Sequence, residues 1–191
     1  MDDIYISGTA QHPGQLYIQL TSGGFVKKEE TAFTPFSTFE DAAVLLFDCD
    51  RDGDLDLFVS GGGNEAMPSS RELQHRLFIN DGKGNFQLSG DAFPVNKDNI
   101  GAVAAFDFDK DGDPDLFVGA RCVTHQYGVT PLSHIYINNG KGIFTDMPAE
   151  KITGIYYAGN VTGAVWADLD GDKEKELVIA GEWMAPRIFK Y

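Results

Sequence analysis

The sequence is poor in basic residues, long apolar runs and cysteine, and each shortage excludes a class of protein. Its 15 Lys and Arg against 29 Asp and Glu give a formal net charge of −14. We therefore expect neither nucleic acid nor an anionic membrane surface as a partner, because both attract basic proteins. No run reaches the roughly 18 apolar residues of a transmembrane helix, so we expect no membrane insertion. The first residues, Met1-Asp2-Asp3, lack the basic and apolar regions of a signal peptide.

Cysteine and histidine are both scarce. Two cysteines do not indicate a disulfide framework. Cys49 occupies a position that is apolar in two related segments described below, so we expect it to be buried as a small hydrophobic residue. Cys122 follows a predicted strand and is expected near the surface. The four histidines have no metal-ligand spacing and are expected in loops or at the surface: His12, His75, His125 and His134.

The charge of the sequence is concentrated in three acidic loops. They are residues 48–57 (DCDRDGDLDL), 107–116 (DFDKDGDPDL) and 168–177 (DLDGDKEKEL). Together they hold 15 of the 29 acidic residues, one at every second position. Five like charges so close together repel one another unless a cation neutralises them. Each loop therefore predicts a metal site.

The residue types favour calcium, at about three sites. Ca²⁺ takes several hard oxygen ligands in flexible geometry, whereas Mg²⁺ prefers a stricter octahedron, and zinc or copper would need His or Cys. We expect loop positions 1, 3, 5 and 9 to bind through their side chains and position 7 through its main-chain carbonyl. The predicted metal ligands are Asp48, Asp50, Asp52, Asp54 and Asp56 in the first loop, Asp107, Asp109, Asp111, Asp113 and Asp115 in the second, and Asp168, Asp170, Asp172, Glu174 and Glu176 in the third.

Two other interpretations of the loops are disfavoured. An EF-hand has a bidentate Glu at position 12 followed by a helix, but the twelfth residues here are Val59, Val118 and Ile179, within β-branched and aromatic runs. A solvated acidic turn without metal is the other alternative. Three copies in the same apolar frame argue against it, because clustered carboxylates tolerate one another poorly.

The loops belong to a repeat of about 60 residues. From Asp48 to Asp107 is 59 residues, and from Asp107 to Asp168 is 61. Each repeat predicts four short strands, A to D, with the acidic loop between A and B and a Gly-rich hairpin between C and D. Strand A is continuously apolar and rich in Ala and Gly, which predicts burial on both faces. The predicted A strands are 43–47, 101–106 and 163–167.

Repeated four-stranded units without any convincing helical period predict an all-β fold, a partial β-propeller of about three to four blades with calcium loops between strands A and B. A β-sandwich with calcium loops is the alternative, but it gives no reason for so regular a repeat. We predict a single propeller segment over 1–191. It contains a part blade at 1–30, full blades at 42–90 and 101–148, and a part blade at 162–191.

The pattern Asp-x-Asp-x-Asp-Gly-Asp-x-Asp-Leu between two apolar strands resembles the FG-GAP/VCBS repeats of integrin α-subunit propellers and of many bacterial surface proteins. Residues 76–86 and 181–184 look like the bacterial VCBS-repeat branch, often grouped with ASPIC/UnbV-type chains. The resemblance implies calcium ligands at the loop residues given above. The third loop departs from the pattern, with Lys173 where the others have Gly53 and Gly112. A Lys at positive φ costs about 1–2 kcal/mol unless Gly171 carries the turn, so we expect this site to be the weakest.

The resemblance also implies a structural or adhesive module that binds a protein or carbohydrate ligand, in an extracellular, cell-surface or periplasmic protein, where calcium is abundant. The loops opposite the calcium loops, 61–74, 121–132 and 149–161, are the candidate binding surface. Their candidate residues are Asn64, Glu65, Arg71, Arg121, His125, Tyr127, Tyr156 and Tyr157.

An enzyme that acts on polysaccharide, as a lyase or hydrolase, is the alternative function. Arg121, His125, Tyr127 and Tyr157 would then serve as acid, base and substrate clamp, but no nucleophile motif or catalytic carboxylate pair supports this, so we expect no enzyme. The chain begins inside one predicted blade and stops inside another. We therefore expect a fragment of a longer propeller or self-association through open blade ends.

Overall fold

The computed structural model describes residues 3–126 and 128–190, which form four antiparallel sheets with strands in chain order. Sheet 1 contains β1 (Ile4–Ile6), β2 (Gln15–Gln19) and β3 (Phe25–Lys28), and sheet 2 contains β4 (Asp41–Phe47), β5 (Asp56–Gly61), β6 (Arg76–Asn80) and β7 (Phe86–Ser89). Sheet 3 contains β8 (Asn99–Phe106), β9 (Asp115–Cys122), β10 (His134–Asn138) and β11 (Phe144–Asp146), and sheet 4 contains β12 (Asn160–Ala167), β13 (Glu176–Glu182) and β14 (Arg187–Phe189). The helical segments are two 3₁₀ turns, Thr31–Phe36 and Arg71–Leu73, and the single-turn helix α1 (Thr153–Tyr156).

The all-β prediction is confirmed, and so is the order of the strands. Sheets 2 and 3 have all four strands, sheet 1 has the equivalents of B, C and D, and sheet 4 has those of A, B and C. The described residues do not close a ring, so the propeller and the blade boundaries stay predictions. No helix in this described part of the chain is long and apolar enough to cross a membrane.

The last three sheets share one register. The leucine that ends each acidic loop belongs to the second of three consecutive strands. It pairs with a residue of the strand before the loop and with a residue of the strand that follows its own. The partners in the later strand are Phe78 for Leu57, Tyr136 for Leu116 and Phe189 for Leu177. Ile4 of sheet 1 pairs with Tyr17 in the corresponding manner. Residues at equal positions can therefore be compared from sheet to sheet.

Successive sheets pack face to face through three apolar clusters. Leu16 and Phe33 pack with Leu57 and Phe78 between sheets 1 and 2. Corresponding clusters lie between sheets 2 and 3, around Phe58 and Tyr136, and between sheets 3 and 4, around Phe117 and Trp166. Because every inner sheet is covered on both faces, the core is a stack and not one central cluster.

The prediction that strand A is buried on both faces is wrong. Several residues of β4, β8 and β12 are half-exposed, and Val165 is 54% exposed. In sheets 2 and 3 the strand that follows the acidic loop is the buried one, since all six residues of β5 and six of the eight residues of β9 are buried. The reason is topological: an A strand is the edge of its sheet, whereas β5 and β9 each lie between two partner strands and two neighbouring sheets.

The small Ala and Gly residues of the A strands allow neighbouring sheets to pack closely together. A Cβ atom at Gly101 of β8 would clash with the main-chain carbonyl of Val161 in β12, and one at Gly119 would crowd the Val161 side chain. Sheets 3 and 4 therefore approach each other so closely at this edge that a side chain at Gly101 or Gly119 would not fit between them.

His75, predicted in a loop or at the surface, lies in the connection before β6, but it is buried and not at the surface. Its side chain lies between sheets 2 and 3, with its ring centroid 5.3 Å from that of Phe58 and 5.6 Å from that of Tyr136. Residues 90–98, which connect these sheets, contribute Phe93 to the same aromatic group.

Candidate metal centre

Each acidic loop brings three of its five acidic side chains together. The loops connect β4 to β5, β8 to β9 and β12 to β13. In every loop the converging residues stand at positions 1, 3 and 9, and each group offers ligand atoms within 4.8 Å of one another. The groups are Asp48, Asp50 and Asp56; Asp107, Asp109 and Asp115; and Asp168, Asp170 and Glu176.

The acidic residue at position 9 is buried and anchors the loop. In the first loop, Asp56 accepts hydrogen bonds from the main-chain N–H of Cys49 at 3.0 Å and of Asn80 at 2.9 Å. Asp115 accepts in the same way from Phe108 and Asn138, both at 2.8 Å. In the first two loops the carboxylate at position 9 therefore ties the start of its loop to the third strand of the sheet, whereas Glu176 accepts from Leu169 at the start of the third loop.

The acidic residues at positions 5 and 7 lie outside these groups. The position-5 side chain accepts from the main-chain N–H of position 7, as when Asp52 accepts from Asp54 at 2.9 Å. At position 7, Asp113 and Glu174 form ion pairs with the preceding loop, described below. Nine of the 15 predicted ligands thus converge within the described residues. The six others, whose proposed contacts include main-chain carbonyls, stay predictions.

One oxygen in each group is buried without a hydrogen-bond partner in the described part of the chain. These atoms are Asp48 Oδ1, Asp107 Oδ1 and Glu176 Oε1. A buried carboxylate oxygen without a hydrogen-bond partner is costly, so each of these three atoms would be stabilised by a bound cation. Burial also disfavours the charged form of Asp115. Desolvation raises the pKa of its carboxyl to about 6, although hydrogen bonds from three main-chain N–H groups oppose the shift.

These donor sets fit a hard divalent cation. The converging atoms are carboxylate oxygens, and within the described residues no His or Cys belongs to any group. The Cys49 thiol instead packs in the core between sheets 2 and 3, as predicted, and burial raises its pKa. The three acidic groups can therefore hold a metal ion of the oxygen-binding class.

The backbone of the third loop carries no more strain than the others. Lys173 has φ of 76°, and Gly171 is also left-handed at 80°. The first loop has the same two turns, with Arg51 at 63° and Gly53 at 93°. Each loop therefore holds one glycine and one other residue in this region, and the expected extra cost of Lys173 is not present.

The family comparison agrees with this geometry. Residues 62–118 match the model of the FG-GAP-like repeat. This segment is similar to an FG-GAP-like repeat. It includes the hairpin between β6 and β7 and the whole of the second acidic loop, so the resemblance inferred from the sequence is confirmed. A comparison with curated proteins returned no match.

An FG-GAP-like repeat indicates a module of the β-propeller type, and such repeats typically occur in extracellular proteins. The first and third acidic loops lie outside the matched segment. They share its register and its converging triad, so the three loops are structurally equivalent.

A cleft lies at the ends of the strands opposite the acidic loops. This cleft has a volume of about 420 Å³, and the predicted residues Asn64, Arg121 and His125 line it. Glu182 and Trp183 line it as well and were missed from the sequence. Arg121 Nη2 lies 2.7 Å from Glu182 Oε1, and the His125 ring approaches the Glu65 carbonyl at 3.3 Å.

Not all candidate residues of that face come together. The Arg71 guanidinium lies over the rings of Phe36 and Phe39, which is a packing role. Tyr156 packs edge-on against Tyr157, and neither is among the residues that line the cleft. Tyr127 lies outside the described residues.

Proposed function

We propose that this chain is a calcium-binding segment of an FG-GAP/VCBS-type β-propeller, with about three Ca²⁺ sites. One observation carries the proposal: in each of three equivalent loops, three carboxylates converge and one buried oxygen lacks a hydrogen-bond partner within the described residues. Positions 1, 3 and 9 would hold the ion directly. Bound calcium would neutralise the loop and so stabilise the hairpin between strands A and B.

Calcium removal tests this proposal. We expect the melting temperature to fall in chelator and to recover more with Ca²⁺ than with Mg²⁺, because binding to the folded state alone stabilises it. Asp109→Asn, in the second triad, should bind fewer ions than the wild type. Asp91→Asn, an exposed position outside the loops, is the matched control. Identical melting curves with chelator and with calcium would remove the metal interpretation.

We further propose that the module is extracellular, at the cell surface or periplasmic, and adhesive, and that it binds a protein or carbohydrate ligand at the cleft. The support is the combination at the cleft of an exposed aromatic ring, Trp183 at 78% exposure, with the Arg121–Glu182 ion pair. Aromatic and arginine side chains are the commonest binding anchors. Arg121→Gln should weaken capture of glycans or peptides from an array. Unchanged capture by this variant would reject the cleft as the site.

A binding role is proposed in preference to a polysaccharide lyase or hydrolase. Tyr157, which an enzyme would need beside Arg121 and His125, does not line the same cleft. Turnover of an oligosaccharide that is abolished by His125→Ala or Tyr157→Phe would reverse this choice.

We also propose that the two outer sheets bind a second copy of the chain. On sheet 4, Val165, Val178 and Ile188 are paired side by side, and Ile188 is 61% exposed. The same register positions of sheet 3 are Ala104, Phe117 and Ile135, which are buried against sheet 4. Sheet 4 therefore carries the apolar face that the inner sheets use for the next sheet.

Sheet 1 offers the complementary face. Ile4 and Phe25 are exposed there, and their register equivalents in sheet 2, Leu57 and Phe86, pack against sheet 1. Sheet 1 of one copy thus has the chemistry to cover sheet 4 of another, which continues the contact already made between the inner sheets.

A further inference from the structure

The third acidic loop already contains a cation from the protein itself. The Lys190 ammonium, just after β14, lies 2.7 Å from Asp170 Oδ2 and 2.5 Å from Asp172 Oδ2. It also lies 3.5 Å from Glu176 Oε1, the buried oxygen that has no hydrogen-bond partner. Two of these residues, Asp170 and Glu176, belong to the converging triad of the third loop.

The register makes this arrangement particular to the third loop. Leu177 pairs with Phe189 as Leu57 pairs with Phe78, so Lys190 stands where the other sheets have Ile79 and Ile137. Both isoleucines pack against the apolar core and offer no charge.

The other basic residues at the loops do not reach a triad in this way. Arg51 and Lys110 extend to position 7 of the following loop, at Asp113 and Glu174. Lys175, in the third loop itself, places its ammonium 5.7 Å from the centroid of the Phe106 ring. Among the described residues, only the third triad is contacted by an ammonium group.

We propose that Lys190 is a tethered cation that occupies the third acidic loop and competes there with Ca²⁺. The proposal rests on the calcium function proposed above and determines which sites fill first. Calcium entering the third loop must displace an ammonium that makes two charge-assisted contacts. The first and second loops carry no such competitor, so their sites bind more tightly.

The ammonium stays charged under ordinary conditions. Hydrogen bonds to Asp170 and Asp172 raise the pKa of Lys190, and the pKa of Asp172 is lowered by the same contact. Competition therefore comes from position and charge and does not depend on a change of protonation near neutral pH. Lys190 also gives the metal-free third loop a neutralising partner that the other two triads lack.

Counting calcium sites in the full chain tests the proposal. Isothermal titration with Ca²⁺ should find two tight sites and one weaker site in the wild type. In Lys190→Met the third site should tighten several-fold, up to about tenfold, because the two half-exposed contacts to Asp170 and Asp172 no longer have to be broken. Lys175→Met removes a neighbouring ammonium that touches no triad and should leave all three affinities unchanged.

The metal-free protein provides a second readout. In chelator, Lys190→Met should melt at a lower temperature than the wild type, because the third triad loses the ammonium that contacts it, and saturating Ca²⁺ should restore it. Three equal sites in the wild type, unchanged in Lys190→Met, would overturn the competition and leave the calcium function intact. If the wild type binds no calcium at all, the calcium function fails. A lower melting temperature of Lys190→Met in chelator would then still show that Lys190 neutralises the third loop.

Discussion

Arg51 Nε in the first acidic loop lies 2.6 Å from Asp113 Oδ1 in the second. The same guanidinium donates to the main-chain carbonyls of Asp111 and Gly112, both at 3.1 Å. One repeat later, Lys110 contacts Glu174 at 2.8 Å. Each loop is thus tied to the next by a cation at position 4 and a carboxylate at position 7. These contacts reduce the repulsion between neighbouring loops without any metal.

Breaking the first of these ties should destabilise the metal-free protein modestly. Arg51→Gln removes the ion pair and both carbonyl contacts, but the guanidinium is half-exposed, so we expect a loss of about 1 kcal/mol or less. Urea denaturation in chelator measures it. The loss should be smaller in calcium, because bound cations then provide the neutralisation.

A double-mutant cycle separates the pair from other effects. Arg51→Gln and Asp113→Asn, alone and together, should show a positive coupling energy in chelator. Additive losses would mean that the two side chains do not stabilise each other.

The ion pair between Asp41 and Arg76 should matter much more. Both side chains are almost fully buried, 2.8 Å apart, and Asp41 also accepts from the Tyr5 hydroxyl at 3.1 Å. The guanidinium lies over the rings of Phe36 and Phe39. Asp41→Ala leaves a buried charge without its partner, so we expect a loss of about 3–5 kcal/mol in the free energy of unfolding.

Two comparisons check this assignment. Asp41→Leu combined with Arg76→Met should recover part of the loss, since an apolar pair leaves no buried charge. Asp91→Asn, at an exposed position, should change little. An Asp41→Ala protein as stable as this control would show that the pair does not stabilise the fold.

Local patterns were enough to predict the strands and the acidic loops. The apolar triplet around Phe78 and the Gly-rich hairpin after it recur around Tyr136, and each feature is complete within a few residues. Strand order follows because short connections join antiparallel neighbours. The convergence of positions 1, 3 and 9 is likewise a property of one loop.

Contacts between segments that are distant in the sequence were not predictable in the same way. Lys190 reaches the third triad only because of the register of β14, and Arg51 meets Asp113 only because sheets 2 and 3 pack at a particular distance. His75 is not part of an apolar run in the sequence. Its burial depends on Phe93, which lies in the connection between sheets 2 and 3. Burial of this kind is decided by the neighbouring sheet and leaves little trace in the local sequence.

The buried His75 should make stability depend on pH. Burial lowers its pKa to about 3, and the nearby positive groups of His134 and Arg76 act in the same direction. The unfolded chain binds a proton near the ordinary value of about 6.5, whereas the folded protein does so only near the lowered value. Stability from this group is thus complete above pH 6.5 and is lost as the pH falls, by about 1.4 kcal/mol per pH unit.

Urea denaturation in saturating calcium, between neutral pH and the mildly acidic range, measures this loss. His75→Gln should flatten the pH dependence even if it lowers stability throughout. His12→Gln, at an exposed position, should keep the wild-type slope. Equal slopes for His75→Gln and the wild type would contradict the assignment.

The outer face of sheet 4 should decide whether the chain associates with itself. Val165 and Ile188 stand at positions that are covered in the inner sheets, and burying the exposed half of each would contribute about 1–1.5 kcal/mol. Val165→Lys would place a charge in the centre of the contact, so light scattering should show dissociation to monomers. Gln87→Lys adds the same charge at an exposed position of β7 and should leave association unchanged. A wild-type chain that is monomeric at every concentration yet binds a hydrophobic dye would mean that another partner, and not a second copy, covers this face.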